Sequence, residues 1–303
     1  MRELVLGTRN SKLALIQAEN VVNQLKQAGV KNPIKIKEVL TKGDKRLDVS
    51  LPNLGGSGVF LEELEKELLE GTIDFAVHSL KDIPAVLPEG LHIASIPERE
   101  DHRDAYLAND HVKFNDLPSD AVIGTSSLRR AAQLLKLRSD IKTEWIRGPI
   151  DSRIEQMHSG NYDAIILAVA GIKRLGIGTN LITEYLPAET FVPAPGQGAL
   201  AIECRKDDEE LNELLLKINN PKSEQTTLAE RAFLAYFDEG ESAPIGGFAE
   251  VDGDNILFHG MVISRDGTRV IEHIEKDSDP VKAANKTAEL LIDQGAYDII
   301  RGA

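Results

Sequence analysis

The chain has 303 residues but only one cysteine, Cys204, together with one tryptophan and three methionines. A single thiol excludes an internal disulfide and a metal site built from several cysteines, and we expect no bound metal. The sequence also lacks a long apolar run, so we predict neither a membrane span nor a secretory signal and place the protein in the cytoplasm. With a net charge of −14, it lacks the basic surface that nucleic-acid binding requires. We therefore expect small-molecule ligands rather than nucleic acid or a membrane. We also expect a monomer.

Short apolar runs alternate with segments of helical spacing along most of the chain, a pattern typical of α/β proteins. Strands are predicted at residues 3–7, 34–40, 73–77, 91–96, 121–124, 142–146, 163–168 and 199–204. Helices are predicted at residues 11–27, 59–69, 126–137 and 150–158. This order indicates two α/β domains, each with a mainly parallel sheet.

The last third of the chain has a different pattern. A helix at residues 223–237 precedes alternating strands at 256–264 and 269–276 and a helix at 281–294, which predicts an α+β unit with an antiparallel sheet. A chain of this length is expected to form two or three domains. We predict three: residues 1–98 with 198–218, residues 99–197, and residues 219–303.

Three turns that follow predicted strands carry arginine beside glycine and hydroxyl residues. Their polar residues are Arg9 and Ser11 in the first, Thr125, Ser126, Ser127, Arg129 and Arg130 in the second, and Arg147 and Arg153 in the third. The N–H groups at a helix start attract anions, and arginine binds carboxylates through two hydrogen bonds. For the second turn alone, a capped helix with two solvated arginines is an equal alternative. Because open α/β sheets bind ligands where their strands end, we predict one cleft that binds several carboxylates.

Phosphate is the rival anion for these turns. A phosphate-binding loop of the Walker type needs a lysine after its glycines, and Gly55, Gly56, Ser57 and Gly58 are not followed by one. The sequence therefore favours carboxylates over phosphate.

A further segment, residues 77–84, ends a predicted strand with Lys81 and Asp82. A carboxylate at the mouth of the cleft can accept a hydrogen bond from a pyrrole-type N–H, stabilise a developing cation or move a proton. Taken without its neighbours, the pair reads as an ordinary surface Lys–Asp pair. His78, just before it, is predicted to be a hydrogen-bonded structural residue.

These segments together resemble the porphobilinogen deaminase (hydroxymethylbilane synthase) family. The similar motifs are GTR-SKLAL at the start, TKGD at 41–44, VHSLKDIPAVLPEGL at 77–91, GTSSLRR at 124–130, RG-ID-R at 147–153, PAPGQGALAIECR at 193–205 and ERAFL…PIGG at 230–247. They occur in the family's order and spacing and cover nearly the whole chain.

The resemblance implies two domains like those of type II periplasmic binding proteins, with a cleft between them, plus a small C-terminal α+β domain. It implies a transferase that condenses four porphobilinogen molecules into hydroxymethylbilane, releasing ammonia each time, in tetrapyrrole and heme biosynthesis. It assigns carboxylate binding to Arg9, Ser11, Thr125, Ser126, Ser127, Arg129, Arg130, Arg147 and Arg153, with Gln197 near the substrate. Asp82 becomes the catalytic carboxylate, with Lys81 beside it.

One position departs from the family at the point where its dipyrromethane cofactor is attached. The family holds this primer by a thioether to a cysteine, and Glu241 occupies that place here. A carboxylate forms at best a hydrolysable ester, so we predict no covalent dipyrromethane and little hydroxymethylbilane formation under the family's usual conditions. Cys204 lies in a predicted strand and is expected to be a buried structural residue. Glu62 and Pro149 also replace the family's usual lysine and asparagine.

Three functions are compatible with these features. The first is a hydroxymethylbilane synthase whose primer is held without the thioether. The second is a non-catalytic paralogue that binds pyrroles or other polycarboxylates, and the third is a transferase that needs no primer. Residues 45–58, polar and then glycine-rich, are predicted to form a mobile flap over the cleft.

Overall fold

The structure, a computed structural model, describes residues 1–41, 43, 61–237 and 243–302. The chain divides into two compact units, residues 1–100 with 198–227 and residues 101–197 with 228–303. Three separate sheets lie within the described residues, two with five strands and one with three. No helix in these residues is both long and apolar enough to cross a membrane. The predicted flap at residues 45–58 lies outside the described residues.

The first unit is built on a five-stranded sheet. Its strands are β1 (Leu4–Arg9), β2 (Ile34–Val39), β3 (Phe75–Ser79), β4 (Leu91–Ser95) and β10 (Leu200–Arg205), and its helices are α1 (Lys12–Gln27), α2 (Glu62–Leu69) and α6 (Glu209–Leu215). The spatial order is β2-β1-β3-β10-β4. One face buries Val21 and Leu25 of α1 against Leu6 and Phe75, and the other buries Leu64 and Leu68 of α2.

The second unit repeats this arrangement. Its five-stranded sheet contains β5 (Asp104–Ala108), β6 (Val122–Gly124), β7 (Lys142–Glu144), β8 (Ala164–Ala168) and β9 (Glu184–Leu186), with helices α3 (Leu128–Leu137), α4 (Ile150–His158) and α5 (Val169–Arg174). The spatial order is β7-β6-β8-β5-β9. Three parallel strands therefore stand beside one antiparallel strand in both sheets, since β10 is antiparallel to β3 and β5 to β8.

The C-terminal part of the second unit has a three-stranded antiparallel sheet. Its elements are α7 (Pro221–Leu234), which starts in the first unit, β11 (Ile245–Asp252), β12 (Asn255–Ile263), β13 (Val270–Asp277), α8 (Pro280–Asp293) and α9 (Ala296–Arg301). Phe233 of α7, Phe258 of β12 and Leu291 of α8 are fully buried in its core. The predicted α+β pattern is confirmed here, and β11 is a strand that the sequence reading missed.

The fold class is α/β as expected, with two five-stranded sheets of the same strand order and a smaller three-stranded antiparallel sheet. Four of the five strands in each of these five-stranded sheets run in one direction, as predicted, but β10 and β5 run against them, so two of the four strand pairings in each sheet are antiparallel. The sequence did not show these reversed strands, because apolar runs buried on both faces look alike whichever way the strand runs. The exact three-domain boundaries remain a prediction.

Candidate functional site

In the first unit, β1 ends at Arg9 and leads directly into the start of α1. The Ser11 hydroxyl caps this helix by accepting a hydrogen bond from the Ala14 N–H at 3.3 Å. Arg9 is thus the last residue of the strand and lies just before the capped first turn of α1, where the sequence reading placed it.

Lys81 and Asp82 lie in a single 3₁₀ turn, Leu80–Asp82, immediately after β3. The turn is anchored to the neighbouring chain because the Leu80 N–H donates to the Ala199 carbonyl at 3.0 Å. The half-buried Asp82 carboxylate forms no hydrogen bond or ion pair with any residue that the structure describes. Its oxygens are therefore available to a ligand.

In the second unit, the turn after β6 is shaped by its hydroxyl groups. The Thr125 hydroxyl accepts a hydrogen bond from the Ser127 N–H at 3.2 Å, and the Ser127 hydroxyl caps α3 by accepting from the Arg130 N–H at 3.4 Å. Ser126 stands between them, partly exposed. The expected N-cap is thus present, and it sets the direction in which α3 carries its two arginines.

Arg129 and Arg130 are buried, so the alternative of two solvated arginines is wrong. Both contact Asp104, at the start of β5: Arg129 Nη2 lies 2.9 Å from Oδ2 and Arg130 Nη2 lies 2.6 Å from Oδ1. Arg129 also donates to the Val192 carbonyl at 2.7 Å. Burial alone would raise the Asp104 pKa, but the two guanidinium groups and the Gln197 amide outweigh it and hold that pKa at about 2.

Gln197 completes this network from the glycine- and proline-rich turn before β10. Its amide nitrogen donates to the His102 carbonyl at 2.8 Å and to Asp104 Oδ1 at 3.0 Å, and its carbonyl oxygen accepts from Arg130 at 3.4 Å. Asp104 is therefore the centre of a buried cluster that the sequence reading missed. The available signal was an aspartate that opens the apolar run 105–108, a run that was not recognised as a strand.

Arg147 and Arg153 flank the start of α4. Arg153 Nε donates to the Gly148 carbonyl at 2.8 Å, and the described residues give Arg153 no carboxylate partner. Burial lowers the Arg153 pKa to about 10, and the charges of Arg130 and Arg147 lower it in the same direction. The structure thus brings three guanidinium groups of the second unit close enough to repel one another, an arrangement that an anion would relieve.

The predicted site residues fall into two groups. Arg9, Ser11, Lys81 and Asp82 belong to the first unit, whereas Thr125, Ser126, Ser127, Arg129, Arg130, Arg147, Arg153 and Gln197 belong to the second. Their convergence on one cleft stays a prediction. Glu241 lies outside the described residues.

Cys204 is buried, as expected, and burial raises the pKa of its thiol to about 12. His78 is also buried, with Nε2 3.0 Å from Glu203 Oε2. The described residues hold no cluster of histidine, cysteine, aspartate or glutamate side chains suited to a metal ion.

The two units thus define an α/β protein whose two five-stranded sheets have the same strand order. Residues 4–213 match the family model described as the porphobilinogen deaminase dipyromethane cofactor binding domain, and residues 225–293 match that of the porphobilinogen deaminase C-terminal domain. The chain belongs to the porphobilinogen deaminase family, a family of transferases, and a dipyrromethane cofactor is expected for it.

Relatives match over almost their full length. Porphobilinogen deaminase of Oceanobacillus iheyensis is 53% identical over 99% of this chain and 97% of its own, and that of Lysinibacillus sphaericus is 49% identical with the same coverage. Among solved structures, a YaeC-family lipoprotein from Enterococcus faecalis matches with a TM-score of 0.43 at 14% identity, over 76% of this chain and 96% of that one.

Proposed function

We propose that this protein is a hydroxymethylbilane synthase that joins four porphobilinogen molecules head to tail and releases ammonia at each step. The observation that carries the proposal is the half-buried Arg153, which has no carboxylate partner among the described residues and whose pKa is lowered to about 10 by burial and by the nearby charges of Arg130 and Arg147. Every porphobilinogen carries an acetate and a propionate, so a growing chain brings two negative charges with each added unit. A site for such a chain needs several arginines rather than one.

In this proposal, the substrate carboxylates bind the arginines and hydroxyl groups at the strand ends. The set is Arg9, Ser11, Thr125, Ser126, Ser127, Arg129, Arg130, Arg147 and Arg153, with Gln197 beside it. Within this set, Arg147 and Arg153 are the strongest candidates for direct contact. Arg129 already uses its guanidinium group on Asp104 and on the Val192 carbonyl, so it contributes mainly positive potential.

Asp82 is proposed to carry the chemical step. In each condensation, the C–N bond of the aminomethyl group breaks and ammonia leaves with its electron pair. The methylene carbon then bonds to the free α-carbon of the neighbouring pyrrole, which loses its proton. An aspartate whose oxygens have no partner among the described residues can accept a hydrogen bond from the pyrrole N–H and stabilise the positive charge that develops on that ring. Lys81 stands next to it and orients the incoming carboxylates.

The same residues fit the dipyrromethane cofactor, which also carries acetate and propionate groups. Asp82 offers an acceptor for pyrrole N–H groups, and Arg153 offers a guanidinium without a carboxylate partner in the described ranges. When bound, the dipyrromethane supplies the terminal pyrrole carbon to which the first substrate unit is joined. We propose that these contacts hold it without a covalent bond, since Glu241 cannot form the thioether. Glu241 can also pair with an arginine of the site and so compete with a substrate carboxylate.

Intact-protein mass spectrometry tests the attachment. The purified protein is expected to show its sequence mass without two added pyrroles and to give no pink colour with Ehrlich's reagent. The Glu241→Cys variant, supplied with porphobilinogen or preformed hydroxymethylbilane, is expected to gain both the mass and the colour. A wild-type chain that already carries the primer, or that turns over porphobilinogen at an ordinary family rate, contradicts the non-covalent proposal.

The transferase function is tested in the Glu241→Cys background, where attachment no longer limits turnover. Asp82→Asn is expected to abolish ammonia release from porphobilinogen, whereas the matched control Asp207→Asn, an exposed aspartate of the same unit, is expected to leave it unchanged. Arg147→Leu is expected to weaken porphobilinogen binding, with Arg265→Leu as its exposed control. A primer-loaded Glu241→Cys protein that releases no ammonia refutes the proposed function.

A further inference from the structure

A second group of titratable side chains lies in the first unit, on the face of the sheet that α2 covers. His78 is on β3, Glu203 on the adjacent antiparallel strand β10, and Glu65 on α2. His78 Nε2 lies 3.0 Å from Glu203 Oε2, and the two side chains are 2% and 0% exposed. Among the described residues, this site does not include a cluster of side chains that could hold a metal ion.

Glu203 has little to compensate a negative charge except His78. Neither of its carboxylate oxygens accepts a hydrogen bond from any residue in the described ranges, and the contact with His78 Nε2 lies outside hydrogen-bond geometry. An isolated buried carboxylate or imidazolium is costly, because burial removes the water that stabilises the charge. A pair that keeps one proton between its two members has no net charge and avoids most of that cost.

The neighbouring elements supply mostly apolar groups to this face. β4 places Ile93 opposite Glu203, and β1 places Gly7 opposite Ala76. The other charged groups are Glu65 and Glu62 on α2, and Lys81 and Asp82 in the turn that follows β3. Burial raises the Glu65 pKa to about 7; the charges of Glu203 and Glu62 add to this rise, and that of His78 opposes it. Glu65 therefore changes charge near neutral pH beside the pair.

The pair also stands directly behind the candidate catalytic turn. His78 is opposite Ala201 and Ser79 is opposite Leu200 in the β3–β10 register, and the next N–H, that of Leu80, donates to the Ala199 carbonyl at 3.0 Å. An uncompensated buried charge at His78 or Glu203 would thus lie within four residues of Asp82, on the two strands that hold the turn.

We propose that Glu203 and His78 together hold one dissociable proton, so that the pair has no net charge, and that they act as a positioning pair that holds the Lys81–Asp82 turn against β10. The proposal deepens the proposed function, on which its kinetic part rests. It makes Glu203 and His78 positioning residues rather than catalytic ones, because they act through the backbone of the turn.

Variants of the pair test the shared proton without any ligand. Glu203→Gln and His78→Gln are each expected to lower the urea midpoint of the full-length protein, since each leaves one buried titratable group without its partner. The double variant, with two neutral amides, is expected to recover most of that loss. The control is Glu272→Gln, which removes the charge of the half-exposed partner of His259, 3.3 Å away, and is expected to have little effect. Additive losses in the double variant would overturn the shared proton.

Nitrogen NMR of the imidazole ring gives a second, independent readout. His78 is expected to report a change of protonation when Glu203→Gln is introduced at pH 7, whereas Glu272→Gln leaves its signals in place. Identical His78 signals in wild type and Glu203→Gln overturn the proposal.

The positioning role is tested by kinetics in the primer-loaded Glu241→Cys background. Glu203→Gln is expected to lower kcat by about tenfold with KM little changed, and to alter the pH profile of kcat. Glu203→Asp should restore part of the activity. An unchanged kcat and pH profile in a variant with altered His78 signals overturn the positioning role. If the loaded protein has no activity at all, the proposed function fails, and the stability and NMR experiments still decide the shared proton.

Discussion

The Asp104→Asn substitution tests the buried cluster of the second unit most directly. Asp104 is fully buried and contacts both Arg129 and Arg130, so the change leaves two buried guanidinium groups facing a neutral amide. The pKa of Asp104 is lowered from 3.8 to about 2, a difference equivalent to about 2.5 kcal/mol. Breaking a buried ion pair by removing one partner typically costs about 3–5 kcal/mol. We expect a loss of about 3 kcal/mol in the free energy of unfolding at pH 7.

Urea denaturation followed by the fluorescence of Trp145 suits this measurement. The protein has one tryptophan, and it lies in the second unit, so its signal reports the unfolding of the part that contains Asp104. The matched control is Asp140→Asn, which removes an aspartate paired with Arg138 at 2.6 Å whose side chain is 44% exposed. The control should change stability far less, because water already stabilises the Asp140 carboxylate and an exposed ion pair contributes little.

The pH dependence gives a second check on the same residue. A carboxylate whose pKa is lowered on folding stabilises the protein above the ordinary pKa of 3.8, and this contribution is lost as the pH falls towards 2. Wild type should therefore lose its advantage over Asp104→Asn below about pH 4. The reasoning is refuted if Asp104→Asn costs no more than Asp140→Asn at pH 7, or if the difference between wild type and variant is constant from pH 7 to pH 3.

Three further changes have defined outcomes. Glu65→Gln should raise the free energy of unfolding relative to wild type more at pH 8 than at pH 5. The wild-type folded state loses stability across that interval, because folding raises the Glu65 carboxyl pKa from 4.5 to about 7. After discounting for the partial exposure of Glu65, we expect a difference of about 1–2 kcal/mol, and equal effects at both pH values contradict this. Cys204, with a thiol pKa of about 12, should resist iodoacetamide in the native protein at pH 8 and react in urea, and native labelling contradicts its burial. Gly267→Ala should lower the Tm more than Gly253→Ala. A Cβ at Gly267 would lie 2.5 Å from the backbone nitrogen of Lys136, whereas a Cβ at Gly253 meets nothing within 4 Å. Equal shifts in Tm contradict the close approach at Gly267.

Local signals were sufficient to predict several elements of the fold. Helix α4 begins and ends where the apolar spacing placed it, and α1 and α3 begin just after the serines that cap them. In α1 and α3 the capping hydroxyl accepts a hydrogen bond from an N–H that no helical carbonyl can reach, so the local sequence specifies where each helix begins. The family motifs assign the site roles to residues at strand ends and helix starts, and those roles stay predictions.

Other elements depend on contacts between distant parts of the chain. Strand β11 begins with Ile245-Gly246-Gly247, and glycine has a low preference for strands. In the folded protein, however, a Cβ at Gly246 would lie 2.9 Å from the Val192 side chain. Glycine is needed there for close packing, and only the folded structure shows the partner. Strand β5 was missed for a related reason, because Asp104 at its start looks like a loop residue until Arg129 and Arg130 are placed against it.

Strands β5 and β10 have a common property. β5 and β10 are the antiparallel members of their sheets, each standing beside the third of three parallel strands, and each carries a fully buried carboxylate, Asp104 in one and Glu203 in the other. Each carboxylate meets a cation or a proton-binding ring: the α3 arginines in the second unit and His78 in the first. Neither acid is in direct reach of a surface ligand, so neither is expected to bind substrate. Asp104 instead fixes the arginine cluster and Glu203 fixes the Lys81–Asp82 turn, and we propose that residues of both groups bind substrate. Substitutions at Asp104 and Glu203 should therefore impair binding and turnover without removing a single substrate contact.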